Sequence, residues 1–161
     1  MAIASGSYST ASEVAKNVPR YATTGVFDAN TNPTLSTVEN WIDEASAIVD
    51  GVLSGLGFTI PITTAKPKRI MDAIVKDVVT LRVEGVRGSG RYAPNSKAIA
   101  QRGVLSLMTQ DIKSALEAIA PGLENMGIGR TSKRGVGSTA VTRKDAYSDD
   151  IDSIEAVTAL G

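Results

Sequence analysis

The chain has 161 residues, of which 42% are hydrophobic but only 4% aromatic, and its 17 basic and 17 acidic side chains cancel. It contains neither cysteine nor histidine, which excludes disulfides, thiolate metal sites and the imidazole that most often serves as ligand or general base near neutral pH. It has no run of about eighteen apolar residues to span a bilayer, and the opening MAIASGSYST lacks the charged and continuous apolar regions of a secretory leader.

The zero net charge conceals segregation. Residues 1–59 carry 2 basic and 6 acidic side chains, net −4; residues 60–144 carry 15 and 6, net +9; residues 145–161 carry 5 acidic and none basic, net −5. Charge blocks of this kind make different surfaces attractive to different partners, either other copies of the chain or a polyanion such as nucleic acid.

In chain order, Thr10-Ala-Ser-Glu13 fits a capping box that opens a short helix, ended by Pro19. A loop follows to Pro33, marked by Gly25, Asp28, Asn30 and Asn32. Ser36-Thr-Val-Glu39 reads as a second capping box, with Leu35 as its hydrophobic staple. Apolar residues then recur at helical spacing through Val38, Trp41, Ile42, Ala45, Ile48, Val49, Val52, Leu53 and Leu56, and Gly57 is placed to cap the helix in the left-handed conformation. Asp43, Glu44 and Asp50 lie off that stripe and form a candidate acidic face. Asp43 and Glu44 are adjacent, so a helix points them about 100° apart and they cannot act as a catalytic pair.

An extended link, Phe58–Ile62, leads to a third helix with Pro67 suited to its first turn and the stripe Ile70, Met71, Ile74, Val75, Val78, Leu81 and Val83. A glycine-rich loop separates it from a fourth helix, which starts at Asn95 or Ser96, carries Ile99, Val104, Leu107, Met108, Ile112, Leu116 and Ile119, and stops at Pro121-Gly122. Gly103 inside it marks a close crossing or a bend. Trp41, Ile42, Ile48, Val49, Leu107 and Ile112 are the expected core. From Leu123 to Gly161 the sequence is glycine-rich, first basic and then acidic, and has no comparable apolar stripe. It reads as an extended arm that orders on a partner, with a strand expected at Ser138–Arg143. The expected organisation is thus an all-α bundle, residues 1–122, of three long helices and a short N-terminal one, followed by an arm over 123–161.

No motif carries chemistry. Gly85-Val-Arg-Gly-Ser-Gly90 follows a helix rather than a strand and lacks the Lys-Ser/Thr ending of a phosphate loop. Asp149-Asp-Ile-Asp152 lacks the glycine and distal glutamate of a calcium loop. The basic residues Lys66, Lys68 and Arg69 lie at a helix start, where they add to the positive end of the helix dipole. With Arg87, Arg91, Arg130, Lys133, Arg134, Arg143 and Lys144 they are the candidate contacts for another subunit or for DNA phosphates.

The short helix ending in Pro19-Arg20, the Pro33-Thr-Leu-Ser36 start, the run Val38-Glu-Asn-Trp-Ile-Asp-Glu-Ala-Ser-Ala-Ile-Val-Asp50 and the segment Gly57-Phe-Thr-Ile-Pro-Ile62 together resemble the head–tail connector proteins (adaptors, or head-completion proteins) of long-tailed bacteriophages. The resemblance is best over residues 8–62 and continues as helix order to about Leu123. It implies a structural subunit without catalysis or cofactor. Such a subunit assembles into a ring, usually of twelve copies, beneath the portal protein. The ring extends the channel for packaged DNA and presents a docking surface to a stopper or tail-completion protein. The implied location is the head–tail interface of the virion, after assembly in the host cytoplasm. The alternative is a small nucleic-acid-binding module that uses residues 60–144 as its basic face.

Overall fold

Local capping chemistry sets the first element. In the computed structural model, which describes residues 4–86, 88 and 90–130, helix α1 spans Ala11–Asn17. The Glu13 amide donates to Thr10 Oγ1 at 3.3 Å and the Thr10 amide donates to Glu13 Oε2 at 3.1 Å, the reciprocal box the sequence predicts. A 3₁₀ turn at Pro19–Tyr21 follows.

Helix α2, Leu35–Gly55, begins earlier than the Ser36 box implies, because its N-cap is Thr34, whose hydroxyl accepts from the Thr37 amide at 3.4 Å. The preceding loop causes the shift. Asp28 accepts from the amides of Asn30 and Thr31 at 2.6 and 2.9 Å, and its carbonyl accepts from the Leu35 amide at 3.0 Å. This closed turn delivers the chain into the helix at Leu35, so Leu35 is helical rather than a staple.

Helix α3, Ala65–Val86, carries Pro67 in its first turn, as expected. Pro67 is its third residue, where no intrahelical partner exists for an N–H. Its core face is Met71, Val75, Val78, Val79 and Val83. Leu81, expected in the stripe, is 39% exposed, and Val79 takes its place. The face is centred on the i, i+4, i+8 row Val75–Val79–Val83, and Leu81 projects away from it.

The fourth predicted helix is two. Helix α4, Lys97–Arg102, is capped by Ser96, which accepts from the Ile99 amide at 3.2 Å. Helix α5 is Val104–Asn125. Gly103 between them has φ +74°, a conformation that breaks the α ladder and that glycine adopts without steric cost. Helix α5 then runs through Pro121, where the sequence predicts its end, to Asn125. Continuing it buries Leu123 completely and Ile128 to 8% exposure, and that apolar burial offsets the hydrogen bond that Pro121 cannot donate. The helical unit accordingly includes Leu123–Arg130, which the sequence assigned to the arm, and the chain separates into one unit at Met1–Thr131 and another at Ser132–Gly161. The strand expected at Ser138–Arg143 lies outside the described residues.

Helix α2 packs on both α3 and α5, α3 packs on α5, and α1 lies against α2 and α3. The result is all-α, as expected, with only isolated β-bridges among the described residues. Ile42, Val49, Leu107 and Ile112 are buried as expected. Trp41 and Ile48 are only partly buried against that core. The guanidinium of Arg82 stacks on the open face of Trp41, 4.5 Å from the ring centroid.

Gly85 is a close-approach glycine. A Cβ built there would lie 2.5 Å from the carbonyl oxygen of Tyr92, where the loop after α3 folds back over the helix end. Gly85→Ala is expected to cost about 1–3 kcal/mol through displaced backbone. Gly51 lies in α2 with nothing within 4 Å of an added Cβ, and Gly51→Ala is expected to stabilise by about 0.5–1 kcal/mol. Urea unfolding of the two variants beside the parent checks both signs.

Candidate interaction surface

The polar surface is organised around helix α2. Its three outward carboxylates, expected to form one acidic face between subunits, are each engaged within the chain and point to two different sides. Asp43 accepts from the backbone amide of Ala4, at 3.2 Å, and from the Ser7 hydroxyl. Asp50 accepts from the Tyr8 hydroxyl at 2.5 Å. Glu44 pairs with Arg82 at 2.5 Å, on the side facing α3 and α5. The physical reason is spacing: Asp43 and Asp50 are seven residues apart and share a helix face, and Glu44 is rotated off it.

Tyr8 is the hub of the N-terminal segment. Its amide donates to Ser46 Oγ at 3.1 Å, and its hydroxyl accepts from the Ile62 amide at 3.1 Å while donating to Asp50. One side chain thus ties the N-terminal strap to α2 and to the link that enters α3. Burial, and then the Asp50 carboxylate, push the Tyr8 phenol up to about 12. A second tyrosine repeats the arrangement at the other end of the bundle. Tyr92 donates to Asp111 at 2.7 Å, Arg91 pairs with the other oxygen of Asp111 at 2.9 Å, and burial raises the Tyr92 phenol well above its usual range. Sequence reading gave no role to Tyr8, Ser46, Arg82, Tyr92 or Asp111. A serine on the buried face of α2 beside Ala45 was the available signal for Ser46; the others find partners far away along the chain and leave none.

The basic candidates divide three ways. Arg91 is committed to Asp111. Arg130 pairs with Glu124 and lies over Phe58, 5.1 Å from the ring centroid, which fixes the chain where it leaves the helical unit. Lys66, Lys68 and Arg69 are exposed on the first turns of α3 and have no side-chain partner among the described residues. Arg87, Lys133, Arg134, Arg143 and Lys144 lie outside the described residues, as does Asp149–Asp152.

Three of the clefts among the described residues lie beside these groups. One of about 210 Å³, lined by Thr59–Thr64 without Ile60 and by Gly127–Gly129, holds no titratable side chain. Another, of about 370 Å³, is lined by Asp28, Ala29, Thr34, Leu35, Ser36 and Glu39. The third, about 280 Å³, brings Lys68 and Arg69 beside Tyr8, Glu13 and Asp72; one Asp72 oxygen is buried there without a hydrogen-bond partner. Glu13 is already committed to the Thr10 cap. Among the described residues no group of three or more acidic, histidine or cysteine side chains is placed to hold a metal, and no helix is long and apolar enough to cross a membrane.

The tyrosines give a pH dependence with a definite sign. Folding disfavours their ionised forms, so their contribution is intact below the unfolded phenol value of about 10 and is lost as pH rises toward the folded value of about 12 for Tyr8. Stability measured by denaturant titration is expected to fall over that alkaline window, and Tyr8→Phe is expected to make the fall shallower. No protein-family model, curated protein or solved structure matches the chain.

Proposed function

We propose that the chain is a structural subunit of a bacteriophage head–tail connector: a ring-forming adaptor that docks beneath the portal protein, extends the channel for packaged DNA and offers the surface on which a stopper or tail-completion protein attaches. The observation that carries the reading is the division of labour along the chain. Among the described residues the apolar core runs to Ile128, and beyond Thr131 the sequence continues with four basic residues followed by five acidic ones. An extension with that composition suits a part that orders on its neighbours. The residues of the resemblance are also central to the fold: Val38–Asp50 is the middle of α2, the helix that touches every other long helix, and Gly57–Ile62 forms its cap and exit. The location that goes with this function is the head–tail interface of the virion.

A nucleic-acid-binding module is the second reading, favoured by the unpartnered cluster Lys66, Lys68 and Arg69. The two differ in salt response. A phosphate-reading protein loses affinity for duplex DNA steeply and linearly in log salt, whereas an adaptor binds portal rings and binds free DNA weakly or not at all.

Removal of residues 132–161 is expected to leave the helical circular dichroism and the thermal midpoint essentially unchanged, and to abolish incorporation into particles. Size-exclusion chromatography of the full chain with purified portal rings checks the docking. Co-elution of the full chain but not of the truncated one is expected; a full chain that ignores portal rings and binds DNA in a salt-dependent way overturns the adaptor reading.

A further inference from the structure

Nearly every arginine in the described residues is paired. Arg20, Arg82, Arg91, Arg102 and Arg130 reach Glu84, Glu44, Asp111, Gln110 and Glu124 respectively. Arg69 reaches no partner among the described residues, nor do Lys66 and Lys68. Three exposed like charges within four positions repel one another and weaken the helix that carries them, so this patch gains from an anionic partner. The helical unit does not supply one from its committed carboxylates: five are held in ion pairs, and Asp43 and Asp50 hold the N-terminal strap. Asp72, beside Lys68 and Arg69, and Asp77 have no ion-pair partner among the described residues, but the densest acidic run of the chain is the last block of the sequence, where Asp145, Asp149, Asp150, Asp152 and Glu155 occur with no basic residue among or after them.

We propose that Lys66, Lys68 and Arg69 of one copy receive the acidic segment 145–155 of a second copy, a head-to-tail contact that deepens the connector reading and rests on it. Such a contact is heterologous: each copy offers one acidic segment and one basic acceptor, and its repetition makes a ring where the rotation closes. Reach is sufficient. Residues 131–144, between the last described residue and the acidic block, span up to about 50 Å when extended, more than the roughly 33 Å length of a helix such as α3. Charge also selects where on the patch the segment sits. Glu13 and Asp72 share the groove beside Lys68 and Arg69 and oppose an acidic peptide inside it. The segment therefore lies against the exposed ammonium and guanidinium groups on the outer side.

The test uses the full-length chain and two charge variants, K66E/K68E/R69E and D149N/D150N/D152N/E155Q, each first shown by circular dichroism to keep the parent's helical signal. Sedimentation velocity at low ionic strength is expected to show the parent's average mass at least doubling with concentration and returning to that of a monomer in high salt. Each variant alone is expected to stay monomeric. Their equimolar mixture is expected to regain association, because one copy keeps an intact acidic segment and the other an intact acceptor. A parent that never associates, or a variant that associates as the parent does, overturns the contact. So does a mixture that stays monomeric. Portal binding, measured in parallel on the same samples, separates the two levels: a chain that docks on portal rings but does not self-associate loses only this contact, and one that self-associates but ignores the portal loses the connector reading.

Discussion

Two helix ends built on one pattern hold the base of the molecule together. Helix α2 finishes as Leu53-Ser-Gly-Leu-Gly57-Phe58 and α5 as Leu123-Glu-Asn-Met-Gly127-Ile128. In each, the glycine has φ above +80°. The amide after that glycine returns to the leucine carbonyl, at 2.9 Å from Phe58 and 3.4 Å from Ile128, and the glycine amide returns to the residue after that leucine. This is the paired closure of a Schellman cap. It satisfies carbonyls that a helix end otherwise leaves open, and it turns the next apolar residue back over the leucine. All four of Leu53, Phe58, Leu123 and Ile128 are buried. The chains leaving the two caps then meet: the Thr59 amide donates to the Gly129 carbonyl at 3.0 Å, and Phe58 and Arg130 form an antiparallel bridge.

Much follows from that junction. It sets where α5 ends, and so where the helical unit gives way to the charged extension. It also fixes the path of the link from Phe58 to Ile62, which presents the Ile62 amide to Tyr8 and brings the first turns of α3 back beside the N-terminal strap. The strap, α2 and the entry to α3 are therefore coupled through one phenol. Polar bonds of this kind add modest net stability one at a time, but they leave a single arrangement of the N-terminal residues in which Asp43, Ser46 and Asp50 are all used.

That use of the carboxylates changes the meaning of the charge pattern. Read along the sequence, residues 1–59 look like an acidic surface waiting for a basic neighbour. In the fold those charges are largely spent internally, and Arg91 and Arg130 are spent likewise. The unpartnered positive charge that remains in view is concentrated at Lys66, Lys68 and Arg69. Of the candidate site, the basic cluster at the start of α3 was legible in the sequence; the internal roles of Asp43, Glu44, Asp50, Arg91 and Arg130 were not, because each depends on a residue that only folding brings near.

Periodicity and capping residues in the sequence determined the all-α class, the positions of the long helices, the Thr10 box and the cap at Gly57, since helical spacing and glycine's access to positive φ are local properties. Tertiary structure decided what local signals leave balanced. Pro121 argued for a stop, and the burial of Leu123 and Ile128 against the other cap carried the helix past it. Leu81 and Val79 were equivalent as apolar residues on α3, and the position of α2 and α5 chose Val79. Gly85 read as a loop residue, and its need for a missing Cβ arises only because Tyr92 returns across it. In each case the deciding energy is a contact between residues distant in sequence, which no local pattern records.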